Sequence, residues 1–190
     1  LISLTNRRLT FLNKFIQSPG QVGSITPSSI YLTKKMFDHV AWDEVDAIVE
    51  LGAGTGVFTN YIFEHMADAT TAVIIEKDAQ MRQALQETYP SFYFGSDAAG
   101  MASLLKKLHT PQVDCIISGL PFANFSPQLR SEIMSVVLEC LKPDGVFIAF
   151  QYSLQMKNML KEHFNRVAIN FEMRNVPPAF VYTCFGKKEE

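Results

Sequence analysis

Short apolar runs rich in β-branched residues recur along the chain, each followed by a turn and then by a segment of helical period. Residues 47–51 lead through glycines into 58–66, 71–75 into 79–87, and 92–94 into 101–108. Residues 113–117 precede a helix that Ser126 can N-cap with Pro127 in its first position, and 146–150 precede 153–164. Proline cannot continue a helix and glycine accepts positive φ, so the helix after Pro127 is expected to end at Lys142-Pro143-Asp144-Gly145. The tail departs from this rhythm. Residues 167–172 and 179–185 read as two strands joined at Asn175-Val176-Pro177-Pro178, with no helix between them.

Strands alternating with helices predict an α/β fold: a parallel sheet with right-handed crossovers, helices on both faces, and a terminal hairpin closing it. The runs are apolar on both sides, as buried parallel strands must be. Ligands in such folds bind beyond the carboxyl ends of the strands, so functional residues are expected just after each strand.

Composition narrows the picture. The 190 residues are 47% hydrophobic and 19% charged, which excludes a disordered or collagen-like chain and suits one core. The net charge of −2 provides no global field to draw the protein to polyanions. Cys115, Cys140 and Cys184 are odd in number, widely spaced and set in apolar stretches, which predicts buried thiols rather than disulfides. No apolar run reaches the ~18–20 residues that span a bilayer and no charged leader opens the chain, so a cytoplasmic protein is expected. His39, His65, His109 and His163 are scattered singly and form no ligand pair, so no metal is expected. No feature of the sequence sets an oligomeric state.

The first strand exits through Glu50-Leu51-Gly52-Ala53-Gly54-Thr55-Gly56. Its G-x-G-x-G spacing, preceded by an acid, is neither the dinucleotide fingerprint G-x-G-x-x-G nor the phosphate loop, since no lysine follows the glycines. A carboxylate at Glu50 repels pyrophosphate but suits a ligand carrying an ammonium or sulfonium group. Glu76 ends the second strand, about 20 residues on, where an acid can accept hydrogen bonds from both hydroxyls of a ribose; Lys77 follows it. Asp97, with Ala98, follows the third strand and suits an acceptor for an adenine amino group.

In this constellation the sequence resembles the class I S-adenosylmethionine-dependent methyltransferases from about residue 45 onward. The resemblance implies a Rossmann-like seven-stranded sheet of order 3-2-1-4-5-7-6 with the last strand antiparallel. It implies S-adenosyl-L-methionine as cofactor, held by Glu50, Gly52, Gly54, Thr55, Gly56, Glu76, Lys77, Asp97, Ala98 and Ser118. On this reading residues 1–190 form one domain, with a helical lid or membrane segment in 1–40 and the catalytic core in 45–186.

The loop after the fourth strand, Ser118-Gly119-Leu120-Pro121-Phe122, is where a methyl acceptor is expected. It resembles the Asn-Leu/Ile-Pro-Tyr/Phe loop of the rRNA adenine dimethylases, in which the Asn and the proline carbonyl take the adenine amino group and the ring stacks on the base. Leu120, Pro121 and Phe122 match; Gly119 stands at the Asn position. Those dimethylases also continue into a helical RNA-binding domain, whereas this sequence stops at residues 186–190, so nucleic acid is not the expected partner.

Three stretches together resemble the bacterial phospholipid N-methyltransferases: the aromatic-rich segment 11–29 ending in Val22-Gly23-Ser24-Ile25-Thr26-Pro27-Ser28-Ser29, the loop Ser118-Gly119-Leu120-Pro121, and Asn175-Val176-Pro177-Pro178-Ala179-Phe180-Val181-Tyr182. This resemblance implies the amino head group of a phospholipid such as phosphatidylethanolamine as acceptor. An RNA adenine, a small soluble amine, and a cofactor-binding scaffold without turnover are the alternatives. On a helical wheel Leu9, Phe11, Leu12, Phe15 and Ile16 share one side, with Arg7, Arg8 and Lys14 supplying cations. Residues 7–17 can therefore lie peripherally on the inner membrane face, or pack over the site as a lid. An amine acceptor must be neutral to attack, so a base or a water path must take its proton. Tyr31 and Tyr152 are the candidates, and each can alternatively form part of an aromatic cage for an ammonium or simply pack.

Overall fold

A computed structural model describes residues 28–188; the amphipathic stretch 7–17 lies outside the described residues. The first helix, α1 (Ile30–Phe37), is N-capped by Ser29, whose Oγ accepts from the Leu32 amide at 3.1 Å. Then follow β1 (Ala47–Leu51), α2 (Val57–His65), β2 (Thr71–Ile75), α3 (Ala79–Thr88), β3 (Tyr93–Gly95), α4 (Met101–Lys107) and β4 (Val113–Ser118). The second half runs α5 (Pro127–Cys140), β5 (Leu141–Gln151), α6 (Lys157–His163), β6 (Phe164–Glu172) and β7 (Ala179–Lys187).

The strands form one seven-stranded sheet in the order β3-β2-β1-β4-β5-β7-β6. Strands β1 to β5 pair in parallel, and β7 runs antiparallel to both β5 and β6. This is the expected methyltransferase sheet. All five residues of β1 are buried, because a central parallel strand is covered on both faces. Val49, Leu51, Ile116 and Phe147 pack on one face with α4, α5 and α6. Ile48, Ile74, Ile117 and Ile148 pack on the other with α1, α2 and α3. The three cysteines are free and buried in these layers.

Several boundaries differ from the sequence expectation, each for a tertiary reason. Helix α5 is capped by Ser126 as expected but ends at Cys140, because Leu141 already pairs with Val113 and β5 then shifts register before Val146. Gly145 does not adopt positive φ; a Cβ there would lie 2.8 Å from Leu141 Cδ1 and 3.0 Å from the Asp114 carbonyl oxygen, so close packing explains the glycine. Helix α6 starts at Lys157 rather than 153, since the Ser153 carbonyl accepts the Tyr182 hydroxyl at 2.9 Å. Strand β6 starts at Phe164 because that residue pairs with Lys187, lengthening both strands of the hairpin at its open end.

Candidate active site

Register brings the functional loops together. Leu51 lies opposite Ile75 on one side and Ser118 on the other, so Gly52, Glu76 and Gly119 emerge side by side. The Gly52 amide donates to the Ile75 carbonyl and the Gly119 amide to the Leu51 carbonyl, each at 2.8 Å. Gly52, Gly54 and Gly56 have φ of +77°, +54° and +81°, a left-handed path that side chains disfavour. A Cβ on Gly54 would meet no atom within 4 Å, so the space beside the turn is open at that point. Thr55 is exposed at its tip.

Glu76 braces this turn. It is 8% exposed; one carboxylate oxygen accepts the Gly54 amide and the other the Asp78 amide, both at 2.7 Å. A carboxylate has about four acceptor sites, so both oxygens can also take a hydroxyl. Lys77 beside it is exposed.

Glu50 is wholly buried beneath α2. The Thr59 hydroxyl donates to its Oε2 at 2.6 Å, while its Oε1 has no hydrogen-bond partner. Loss of hydration pushes its pKa up to about 8; the Thr59 bond opposes this and the charge of Glu76 adds to it. An unpartnered, fully buried carboxyl oxygen costs stability unless a donor or cation completes it. Asp97 is exposed and caps the next turn, its Oδ1 accepting from Ala99 N at 3.1 Å, and Ala98 is buried beside it.

On the other side, Ser118 is fully buried and its hydroxyl oxygen accepts the Leu120 amide at 3.3 Å. A Cβ on Gly119 would lie 2.9 Å from the Gly52 carbonyl oxygen, closer than real side chains come to backbone. An asparagine here would therefore force the loops after β1 and β4 apart. The Leu120 carbonyl takes both the Phe122 amide at 2.9 Å and the Gln151 side-chain amide at 2.8 Å, filling its two lone pairs. Phe122, expected among the acceptor contacts, is fully buried, with its ring 5.7 Å from that of Phe125 in the core. Its burial leaves no ring face for a base to stack on. Pro121 is half-buried, and its carbonyl accepts the Asn124 amide at 2.9 Å.

The two tyrosines sit on the rim. Tyr152 packs edge-on to Phe150 at 5.8 Å, and Tyr31 lies under the Arg174 guanidinium, 4.0 Å from its ring centre. That contact occupies one face of Tyr31.

A profile of the methyltransferase small domain family matches residues 28–175. The chain belongs to that family. This methyltransferase is a class I, S-adenosylmethionine-dependent enzyme, as its glycine turn implied. It is 29% identical over 184 residues to an ornithine lipid N-methyltransferase of Singulisphaera acidiphila, covering 94% of this chain and 96% of the relative. Its fold is similar to the N-methyltransferase NodS of Bradyrhizobium japonicum in complex with S-adenosyl-L-homocysteine, with a TM-score of 0.66 at 11% identity over 85% of this chain and 89% of that one. It is also similar to the 1,6-didemethyltoxoflavin-N1-methyltransferase of Burkholderia thailandensis, with a TM-score of 0.63 at 12% identity over 97% and 90% of the two chains.

The residues of this methyltransferase fit the cofactor: the open space beside Gly54 leaves room for a ligand against the backbone, and the orphaned Glu50 Oε1 suits a cationic group. Sequence reading missed three supports. Thr59 holds Glu50; Arg82 Nη1 clamps the Glu76 carbonyl at 2.6 Å; and Gln151 fixes the loop after β4. Only Gln151 left a signal, as a lone amide ending an apolar strand.

Proposed function

We propose that this methyltransferase is an N-methyltransferase whose acceptor is the amino head group of a membrane lipid, phosphatidylethanolamine or an ornithine lipid. The observation that carries the reading is the near full-length match to a relative named for lipid N-methylation. The acceptor loop supports it, because Gly119, the filled Leu120 carbonyl and the buried Phe122 remove the features that would hold an adenine.

When bound, S-adenosylmethionine supplies an electrophilic methyl group on a sulfonium. Glu50 would face its cationic amino acid end, Glu76 would accept the ribose hydroxyls, and Asp97 with Ala98 would hold the adenine. Gly52, Gly54 and Gly56 let the backbone approach closely, with Thr55, Lys77 and Ser118 at the margins. Gly119, Leu120 and Pro121 position the acceptor nitrogen for in-line attack, where alignment is the main contribution. Phe122 anchors that loop in the core. Tyr31 and Tyr152 stand at the entrance, where a proton leaves or an ammonium is screened. Among the described residues no helix is long and apolar enough to cross a membrane.

The test is incubation with methyl-labelled S-adenosylmethionine and either vesicles containing each aminolipid or total RNA. Label in the lipid is expected. Label in RNA alone, or in neither, would overturn the reading.

A further inference from the structure

Among the described residues ten large apolar side chains are exposed, and six of them gather at one place: Ile30, Tyr31, Tyr152, Leu154, Met173 and Val176. Topology explains the cluster. Strand β6 runs parallel to β5, so the β6–β7 bend at 173–178 lies at the same carboxyl end of the sheet as the glycine turn and the acceptor loop. The start of α1 is tied to that bend, with the Ser29 amide donating to Asn175 Oδ1 at 2.9 Å. Asn175 in turn donates from Nδ2 to the Pro177 carbonyl at 2.8 Å. Arg174 bonds Glu172 at 2.9 Å and 3.2 Å while covering Tyr31, and Lys35 lies 3.6 Å from the same carboxylate. The rim is therefore a built surface.

Its charge is opposite to that of the whole chain. Segments 28–35, 152–157 and 171–178 carry Lys34, Lys35, Lys157 and Arg174 against one carboxylate, Glu172, which is buried and already paired, in a protein of net charge −2. Apolar side chains interleaved with cations are what an anionic bilayer surface binds: the former enter the headgroup layer and the latter stay with its phosphates.

We propose that this rim is the face with which the protein lies on an anionic lipid bilayer, setting the acceptor loop against the headgroup layer. The inference rests on the lipid-acceptor reading, and is separate from any anchoring by residues 7–17. Met173 and Val176, 74% and 71% exposed, enter first. The occupant is a bilayer rather than a protein because the cations sit among the apolar groups and the rim borders a site whose acceptor resides in a bilayer.

The experiment compares wild type, Ile30→Asp/Met173→Asp and Lys34→Glu with Phe63→Asp, an exposed apolar position on α2 away from the rim. Co-sedimentation is measured with vesicles of phosphatidylethanolamine and phosphatidylglycerol, alongside methyl transfer to those vesicles and to a short-chain, water-soluble phosphatidylethanolamine. Both rim variants are expected to lose roughly tenfold in vesicle binding, while Phe63→Asp does not. Transfer to vesicles should fall in parallel, and transfer to the soluble acceptor should stay at the wild-type rate. Rim variants that sediment like wild type would overturn the proposal, as would an equal loss in Phe63→Asp. If the wild type labels neither form of lipid, phosphatidylethanolamine fails as the acceptor, and sedimentation still decides whether the rim binds membrane. Thermal melts that match wild type exclude misfolding, which the exposure of all three rim positions makes the expected result.

Discussion

Glu50 makes the methyltransferase sensitive to pH in a way that a single substitution removes. Its carboxyl holds a proton in the folded state up to about pH 8, against an ordinary value of 4.5, because burial strips its hydration and Oε1 finds no donor. Between those two values the native state binds one proton more than the unfolded chain, so this residue makes stability fall as pH rises. The slope is about 1.4 kcal/mol per pH unit, which amounts to roughly 3 kcal/mol of lost stability at pH 7 and nothing below about pH 4.5. Glu50→Gln preserves shape and an acceptor for Thr59 but cannot ionise. Any fixed cost of the new amide shifts the whole curve, so the slope carries the test. Urea unfolding of both proteins without cofactor, at intervals from pH 5 to 8.5, should show the variant gaining on wild type by about 1.4 kcal/mol for each unit up to pH 8. A cation at Oε1 favours the ionised form, so S-adenosylmethionine binding at pH 7 should release protons from wild type and fewer from Glu50→Gln, read by calorimetry in buffers of different ionisation heat. Parallel stability curves for the two proteins would refute the buried-acid argument. Equal proton release would refute the assignment of Glu50 to the cationic end of the cofactor.

Four further outcomes are expected. Glu76→Ala and Asp97→Ala should each weaken S-adenosylhomocysteine binding by ~1–3 kcal/mol through lost hydrogen bonds, measured by calorimetry; wild-type affinity in both would discard the site assignment. Gly119→Ala places a Cβ 2.9 Å from the Gly52 carbonyl oxygen and should cost about 1–3 kcal/mol in urea unfolding, with lower turnover; full stability would show that the two loops are not held together. Gln151→Leu removes the 2.8 Å bond to the Leu120 carbonyl and should cost about 1 kcal/mol while raising KM for the acceptor more than for the cofactor, and an unchanged acceptor KM would argue against a positioning role. Removing residues 1–16 should reduce vesicle co-sedimentation if residues 7–17 lie in the headgroup layer, and unchanged binding would retire that segment as an anchor.

Much of the glycine turn was legible in the chain because its determinants are local. A strand of four apolar positions and one acid, followed by three glycines at alternate positions, defines a turn whatever surrounds it, and Ser126-Pro127 caps a helix through neighbouring atoms. The order of strands and helices follows from the same local periods. The loop after β4 was less legible. The match of Leu120, Pro121 and Phe122 to an adenine-binding pattern was visible in sequence, yet the burial of Phe122 depends on α5 and the core beneath it. Gly119 read simply as a missing amide until its distance to Gly52, 67 positions earlier in the chain, explained why no side chain fits there.

Sequence by itself therefore determined the fold class, the glycine turn and the acids at the strand ends, since periodicity and turn chemistry act over a few residues. Tertiary structure alone decided which groups meet: Gln151 on the Leu120 carbonyl, Arg174 over Tyr31, and Ser29 on Asn175 across 146 positions. It also decided the protonation of Glu50, because hydration is lost only when α2 closes over β1. Contacts between distant segments depend on register and packing, and no local pattern records them.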